Sequence, residues 1–216
     1  MREAHLAGLR TTATMMYGHV ETPGERLDHM LRLRALQDES RGRPTAASAE
    51  AGFTAFIAWS YQPEHTELGG SEATGVEYLR TLALGRIVLD NFDNLQASWV
   101  TQGGKVGQLS LAYGANDMGS VMIEENVVRA AGASYCMDEI EIVRNIENAG
   151  FVAKRRNMHY EILGDPFFRA HDVKRMLELS TARAAGDTSV PAELVNYPAR
   201  SAAGKKQRSG PVSPVS

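Results

Sequence analysis

The chain contains a single cysteine, Cys136, among its 216 residues. One thiol cannot form an internal disulfide, and one thiolate cannot hold a structural zinc ion or an iron–sulfur cluster, each of which needs several ligands. The sequence also shows no group of histidines at metal-ligand spacing. We therefore expect no disulfide and no metal site built from this chain alone.

Long apolar runs and an excess of basic charge are missing as well. No run approaches the roughly 18 apolar residues of a membrane span, and the N-terminal "MREAHLAG" lacks the apolar core of a signal peptide. The formal net charge is −3, and the one dense basic run, "GKKQR" at 204–208, lies in a segment typical of a disordered tail. These absences predict a cytoplasmic protein without a membrane or nucleic-acid partner.

The remaining composition, 43% apolar and 23% charged, is that of a globular domain. Apolar periodicity alternates between strand-like and helix-like along the chain. Strands are predicted at 9–17, 53–61, 95–100 and 155–163, and helices at 1–7, 24–39, 75–91, 104–113, 122–131, 136–149 and 171–185. The alternation predicts parallel βα units with helices outside the sheet, which means an α/β sheet or an incomplete barrel.

The first candidate site follows the first strand. If that strand continued, Tyr17, His19 and Glu21 would share one face, and Gly18 would let another group approach the backbone. In the alternative interpretation, Gly18 only makes a turn, and His19 and Glu21 are solvated or help to cap the next helix.

Further candidates follow the next predicted strands. Trp59, Tyr61 and Gln62 suit a ring system with polar edges, or else pack in the core and at its rim. The glycines of "SWVTQGGKVGQ", 98–108, could let backbone N–H groups meet an anion, although the run lacks the phosphate-loop pattern.

Two polar stretches lie closer to the C-terminus. Asn116 and Asp117 in "GANDMGS" contact a ligand or only form a turn. Arg155, Arg156, Asn157 and His159 belong to a polar closing strand, for which a solvated edge is the simpler interpretation.

Five runs in one order carry a more specific signal than any single motif. They are "GLRTTATMMYGHVET", "GFTAFIAWSYQPEHTELGG", "NLQASWVTQGGKVGQLSL", "YGANDMGSVMIEENVVRAAGA" and "RRNMHYEIL". Together they resemble the later portion of the cyclic dehypoxanthine futalosine synthase family, radical S-adenosylmethionine (SAM) enzymes of the futalosine route to menaquinone. The resemblance covers residues 2–165, apart from 41–51, which looks like an insertion. The segments "AWSYQP" and "SWVTQG" favour this family over aminofutalosine synthase and the deazaflavin-chromophore enzymes.

The resemblance implies the C-terminal portion of an incomplete parallel (β/α) barrel of radical SAM type over 1–165. Residues 166–216 then form an extra helix and a disordered, low-complexity tail. In the family, a C-x-x-x-C-x-x-C motif in the N-terminal part of the barrel holds a 4Fe-4S cluster that cleaves SAM to a 5′-deoxyadenosyl radical. This radical abstracts hydrogen from the ribose of a nucleoside-derived substrate, and the sugar radical then adds to the appended ring to give a spiro product.

The resemblance also assigns binding residues. "MYGHVE", 16–21, looks like the G-x-x-E element that lies along the adenosyl group, with the next strand near adenine. The implied cofactor-binding residues are Tyr17, Gly18, His19, Glu21, Phe56 and Ile57. The implied substrate-binding residues are Trp59, Gln62, Trp99, Gln102, Asn116 and Asp117.

The chain departs from the family pattern because it has no cysteine triplet. We therefore expect it to be inactive alone, as a fragment, as half of a two-chain enzyme whose N-terminal half is a separate chain, or as a degenerate barrel that retains only binding. A fragment is favoured because Met1 falls within a predicted helix. A sister enzyme and a non-catalytic interaction module are the alternatives, and a half barrel would leave strand edges and an apolar interior uncovered.

Overall fold

Three parallel strands joined by helices form the centre of the structure. The computed structural model describes residues 1–42, 51–64, 66–121 and 135–166. The strands are β1 (Arg10–Tyr17), β2 (Gly52–Ser60) and β3 (Asn94–Gln96), followed by the short β4 (Arg155–Arg156) and β5 (Ile162–Gly164). The helices are α1 (Arg2–Leu6), α2 (Pro23–Arg41), α3 (Gly75–Val88), α4 (Trp99–Ser110) and α5 (Glu139–Asn148).

The sheet has the order β1-β2-β3, and both strand pairs are parallel. This arrangement confirms the predicted α/β class with a parallel sheet. The predicted loop at 41–51, the helices at 122–131 and 171–185 and the tail fall wholly or mostly outside the described residues. Within the described ranges, no helix is long and apolar enough to cross a lipid bilayer.

The two faces of the sheet differ in what covers them. One, the helix face, carries Ala13, Met15, Tyr17, Phe56 and Ala58, all buried in the core. Helix α3 packs on this face so closely that a Cβ atom on Gly85 would lie 3.1 Å from the Phe56 ring. The other, the open face, carries the side chains that alternate with these, namely Thr12, Thr14, Met16, Ile57 and Trp59.

The open face is partly exposed in the described structure. Met16 is 52% exposed, and Ile57 and Trp59 are half-buried. Strand β1 also lies at the edge of the sheet, so its outer side has no paired strand among the described residues.

Helix α2 is specified by its first turn and by one buried glutamine. Thr22 and Glu25 form a reciprocal capping box, with Pro23 at the first helical position. Near the other end, the Gln37 amide donates to Phe53 O at 2.9 Å and accepts from Phe53 N at 2.7 Å. This pair of hydrogen bonds fixes the end of α2 against the start of β2.

Two sequence predictions were wrong in detail. Strand β3 ends at Gln96 rather than at residue 100, and Trp99 and Val100 lie in the first turn of α4. That helix is broken at Gly103, where φ is 78°, so its regular part begins where the sequence predicted a helix, at residue 104. The segment 155–163 is not one extended piece, because β4 and β5 form an antiparallel hairpin around Tyr160, whose φ is 66°.

Replacing Phe56 with alanine is expected to lower the free energy of unfolding by about 3–5 kcal/mol, because the ring is fully buried against α3. The matched control is Ile57→Ala, one residue along the same strand on the open face. Urea denaturation should show a much smaller loss for this control. Equal losses for the two variants would contradict the assignment of the two faces.

Candidate functional site

The loop after β1 lies at the carboxyl end of the sheet, where side chains of parallel strands can meet a ligand. The strand ends at Tyr17, and Gly18 turns the chain with a φ of 87°, which favours glycine. A Cβ atom at Gly18 would also lie 3.1 Å from the Ala73 Cβ atom. The strand does not continue to Glu21, so Tyr17, His19 and Glu21 do not share one strand face, and Gly18 makes the turn of the alternative interpretation. Tyr17 itself is fully buried on the helix face.

The Glu21 carboxylate holds this loop together. It accepts hydrogen bonds from Gly18 N at 2.6 Å, from His19 N at 3.1 Å and from Arg26 Nη2 at 2.8 Å. Partial burial by itself raises the pKa of Glu21, but the bonds from Gly18 and Arg26 outweigh it and lower the pKa to about 2. Glu21 thus binds polar groups of its own chain, and its carboxylate is charged at neutral pH.

Arg26 connects the loop to two helices. Besides Glu21, its guanidinium donates to Glu77 at 3.0 Å and to Thr81 Oγ1 at 2.9 Å, both on α3. Its guanidinium carbon lies 4.5 Å from the centre of the Tyr17 ring. Sequence reasoning missed Arg26; the one available signal was a cation near the start of a helix, where the helix dipole disfavours it.

A second polar cluster lies at the end of β2. Buried Ser60 accepts at Oγ from Gln102 Nε2 at 2.7 Å and from Gln62 Nε2 at 3.2 Å. The ring of Tyr61 is buried and contacts the edge of the His19 ring at 5.9 Å between centres. The structure therefore brings His19, Tyr61, Gln62 and Gln102 to the same end of the sheet, together with Ser60, which sequence reasoning did not single out.

Two aromatic residues assigned to ligand contact lie in the core instead. The resemblance placed Phe56 and Ile57 near adenine, but adjacent residues of a strand point to opposite faces, and Phe56 is buried under α3. Trp99 was expected on the substrate side, yet it is 1% exposed and its indole N–H donates to Met118 O at 2.8 Å.

Asn116 connects its segment to β3 and α3 by long-range hydrogen bonds. Its Oδ1 accepts from Leu95 N at 2.8 Å and from Arg86 Nη2 at 3.0 Å, and its Nδ2 donates to Asp93 O. These bonds hold the segment after α4 beside β3.

Asp117 forms an ion pair with the closing hairpin. Arg156 donates to its two carboxylate oxygens at 3.0 and 2.6 Å, and the Arg156 guanidinium stacks on Tyr160 at 4.0 Å. Burial raises the pKa of Tyr160 to about 12. The sequence suggested that Arg156 lies on a solvated edge, but the structure shows it paired with Asp117.

The glycines of α4 serve close packing. A Cβ atom at Gly103 would lie 2.9 Å from the Tyr135 ring, and one at Gly107 would lie 2.9 Å from Trp99 Cβ. Among the predicted ligand residues, Gly18, Glu21, Asn116 and Asp117 keep exposed surface but bond to or turn their own chain. Five others keep exposed surface on or beside β2, namely His19, Ile57, Trp59, Gln62 and Gln102. Their binding roles remain predictions.

The three described cavities are lined by residues other than these five. A cavity of about 700 Å³ lies between α2 and α3, one of about 370 Å³ lies beside the hairpin, and one of about 620 Å³ lies at the amino end of the sheet. Neither Gln62 nor Gln102 lines any of these three. In the ranges that the structure describes, no three metal-ligating side chains come together.

Replacing Glu21 with glutamine is expected to lower the free energy of unfolding at pH 7 by about 1.5–3 kcal/mol, the usual contribution of a charged hydrogen-bonding group. Since the pKa of Glu21 in the folded protein lies below its ordinary 4.5, its stabilising effect is complete above that pH and is lost as the pH falls towards 2.

Denaturation of the parent and Glu21→Gln between pH 7 and pH 2.5 checks this expectation, and the difference between them should shrink as the pH falls. Glu67→Gln, in an exposed loop position, is the control and should leave both the stability and its pH dependence unchanged. A difference that stays constant with pH would contradict the role of the carboxylate.

A comparison with family models matches residues 50–167 to the CofH/MqnC C-terminal region. The chain is 42% identical over 195 residues to the cyclic dehypoxanthine futalosine synthase of Streptomyces coelicolor, which covers 88% of the chain and 46% of that relative. The enzyme of the same name from Halalkalibacterium halodurans is 43% identical over 164 residues, or 76% of the chain and 42% of the relative.

A differently named relative is nearly as similar. The 5-amino-6-(D-ribitylamino)uracil–L-tyrosine 4-hydroxyphenyl transferase of Methanosphaerula palustris is 41% identical over 169 residues, covering 75% of the chain and 44% of that protein. The chain thus spans less than half the length of these curated relatives. Because the family model matches more than half of the chain, the protein belongs to the CofH/MqnC family and carries its C-terminal region.

Proposed function

We propose that the chain is the C-terminal portion of a cyclic dehypoxanthine futalosine synthase, a radical SAM enzyme that cyclises dehypoxanthine futalosine in menaquinone biosynthesis. The observation that carries the proposal is the 42% identity to such a synthase along 88% of the chain. Sequences that match over this length share a fold, and the loop of Gly18 and Glu21 lies at the carboxyl end of a parallel strand, where βα proteins bind ligands.

In this proposal, the sheet is one part of an incomplete parallel (β/α) barrel. Its strands follow one another in order, its helices cover one face, and its other face carries partly exposed apolar side chains such as Met16. Further strands from a preceding N-terminal half would pair with the edge of β1 and cover the open face. That half, on the same or a separate polypeptide, is the proposed partner.

The 4Fe-4S cluster does not fit this chain. Three thiolates are needed, and the sequence has one cysteine. The N-terminal half would therefore supply the cluster, and the present chain alone would not cleave SAM.

The fit to SAM is partial and lies at the β1 loop. The Glu21 carboxylate is occupied by Gly18, His19 and Arg26, so Glu21 would act by keeping the loop in shape. His19 and Ile57, which keep exposed surface, would contact the bound molecule. When bound, SAM supplies the hydrogen-abstracting radical; this chain supplies a rigid loop and one wall of the pocket.

The second candidate function is the transferase reaction named for the relative from Methanosphaerula palustris. Its identity to the chain, 41% over 169 residues, is almost as high as that of the synthases. The two candidates differ in substrate and product, so product analysis separates them.

Combining the chain with the unmatched N-terminal half of the Streptomyces coelicolor relative is expected to restore activity. After anaerobic reconstitution with iron and sulfide, the assembly should cleave SAM and convert dehypoxanthine futalosine to its cyclic product, as measured by mass spectrometry. The chain alone, treated in the same way, should show neither cluster absorbance nor SAM cleavage.

The matched control carries alanine in place of the three motif cysteines of the added half, and it should be inactive. Conversion of 5-amino-6-(D-ribitylamino)uracil and tyrosine, with dehypoxanthine futalosine unchanged, would select the second candidate. A stable assembly without SAM cleavage would instead identify a non-catalytic binding module.

A further inference from the structure

The Ser60 hydroxyl group is the meeting point of two glutamine side chains at the carboxyl end of β2. Ser60 is fully buried, and its Oγ atom lies 2.7 Å from Gln102 Nε2 and 3.2 Å from Gln62 Nε2. A serine oxygen can accept two hydrogen bonds. Both of its acceptor positions are therefore filled by amide N–H groups.

The orientation of the Gln62 amide follows from its other neighbours. Its Nε2 also faces the carbonyl oxygens of Ser60 and Tyr61, at 3.4 and 3.3 Å, and Glu72 Oε1 at 3.1 Å. Carbonyl oxygens and a carboxylate can only accept hydrogen bonds, so the NH₂ group of Gln62 must face them. Its Oε1 atom then lies on the other side of the amide.

Gln102 bonds to the same Ser60 hydroxyl, and both of its partners are hydroxyl oxygens. Its Nε2 donates to Ser60 Oγ and lies 3.5 Å from Thr101 Oγ1. Among the described residues, no hydrogen-bond donor reaches the Oε1 atom of Gln62 or Gln102, and both side chains keep exposed surface. The two amides that carry these acceptors thus meet at one hydroxyl oxygen, Ser60 Oγ, at the end of the sheet.

We propose that Ser60 is a positioning residue that holds Gln62 and Gln102 as a pair of carbonyl acceptors, and that this pair binds neighbouring hydroxyl groups of a ligand. The inference rests on the proposed function, since the family resemblance implies that both glutamines bind the substrate. The inference goes beyond the proposed function because it names Ser60 as the residue that orients the two glutamines, and hydroxyl groups as the ligand groups that they bind. A ligand that offers hydrogen-bond donors fits, whereas one that offers only acceptors does not.

The first test is NMR of the side-chain NH₂ groups in the full 216-residue chain. In Ser60→Ala, the signals of Gln62 and Gln102 should both move towards the positions of free glutamine amides, because each loses its bond to Oγ. Ser60→Thr keeps the hydroxyl group and should keep both signals. Unchanged signals in Ser60→Ala would overturn the positioning role.

The second test uses two probes, adenosine and 2′,3′-dideoxyadenosine, which differ in two hydroxyl donors. Adenosine should bind the chain more tightly than the dideoxy compound, and Ser60→Ala should reduce that preference about fivefold, the factor for one weakened hydrogen bond. Equal binding of the two probes, or binding of neither, would overturn the inference. If Ser60→Ala fails to fold, Gln102→Met, at a half-buried position, gives the same readout.

These tests need neither the cluster nor turnover, so the two proposals can fail separately. An inactive assembly combined with a Ser60-dependent preference for adenosine would reject the proposed function alone. An active assembly in which Ser60→Ala leaves the KM for dehypoxanthine futalosine unchanged would reject the inference alone. Ser60→Thr should rescue the KM.

Discussion

The arrangement at the end of the sheet depends on the ion pair between Glu21 and Arg26. Both side chains are largely buried, with 14% and 10% of their surface exposed, and a charge in such a place is costly unless it is paired. Here the pair is supported by backbone N–H groups on one side and by Thr81 and Glu77 on the other. The loop, α2 and α3 are therefore held in one relative position.

The pairing of Tyr17 with Ser60 across the sheet links this ion pair to the polar cluster around Ser60. Tyr17 lies under Arg26 and is paired with Ser60 across the sheet, and Tyr61 N donates to Tyr17 O at 2.8 Å. The two polar clusters thus occupy neighbouring strand ends at a fixed separation. A ligand at this edge would meet groups whose positions are set before it binds, which lowers the entropic cost of binding.

The sequence predicted the parts of the fold that depend on local periodicity. Strand β1, α2 and β2 appear within two residues of their predicted bounds, because alternation and helical spacing are properties of a short segment. Trp99 was misassigned because an apolar run next to serine suits either a strand or the start of a helix, and its packing against Gly107 decides between them. The candidate site was harder still. Alternation separates Phe56 from Ile57 but does not say which face the helices cover, and no motif connects Glu21 with Arg26 or Ser60 with Gln102.

The bond pair between Gln37 and Phe53 has a consequence for how the chain tolerates change in length. The Gln37 amide makes the two hydrogen bonds to Phe53 that a neighbouring strand would otherwise make. The start of β2 is therefore aligned by a side chain of α2 and not by the residues that connect α2 to β2. Insertions or deletions between Gly42 and Ala51 can therefore accumulate in evolution without shifting the strand pairing, since loop closure itself costs little with added length. The same property makes this connection the natural place to divide or permute the gene while keeping the sheet intact.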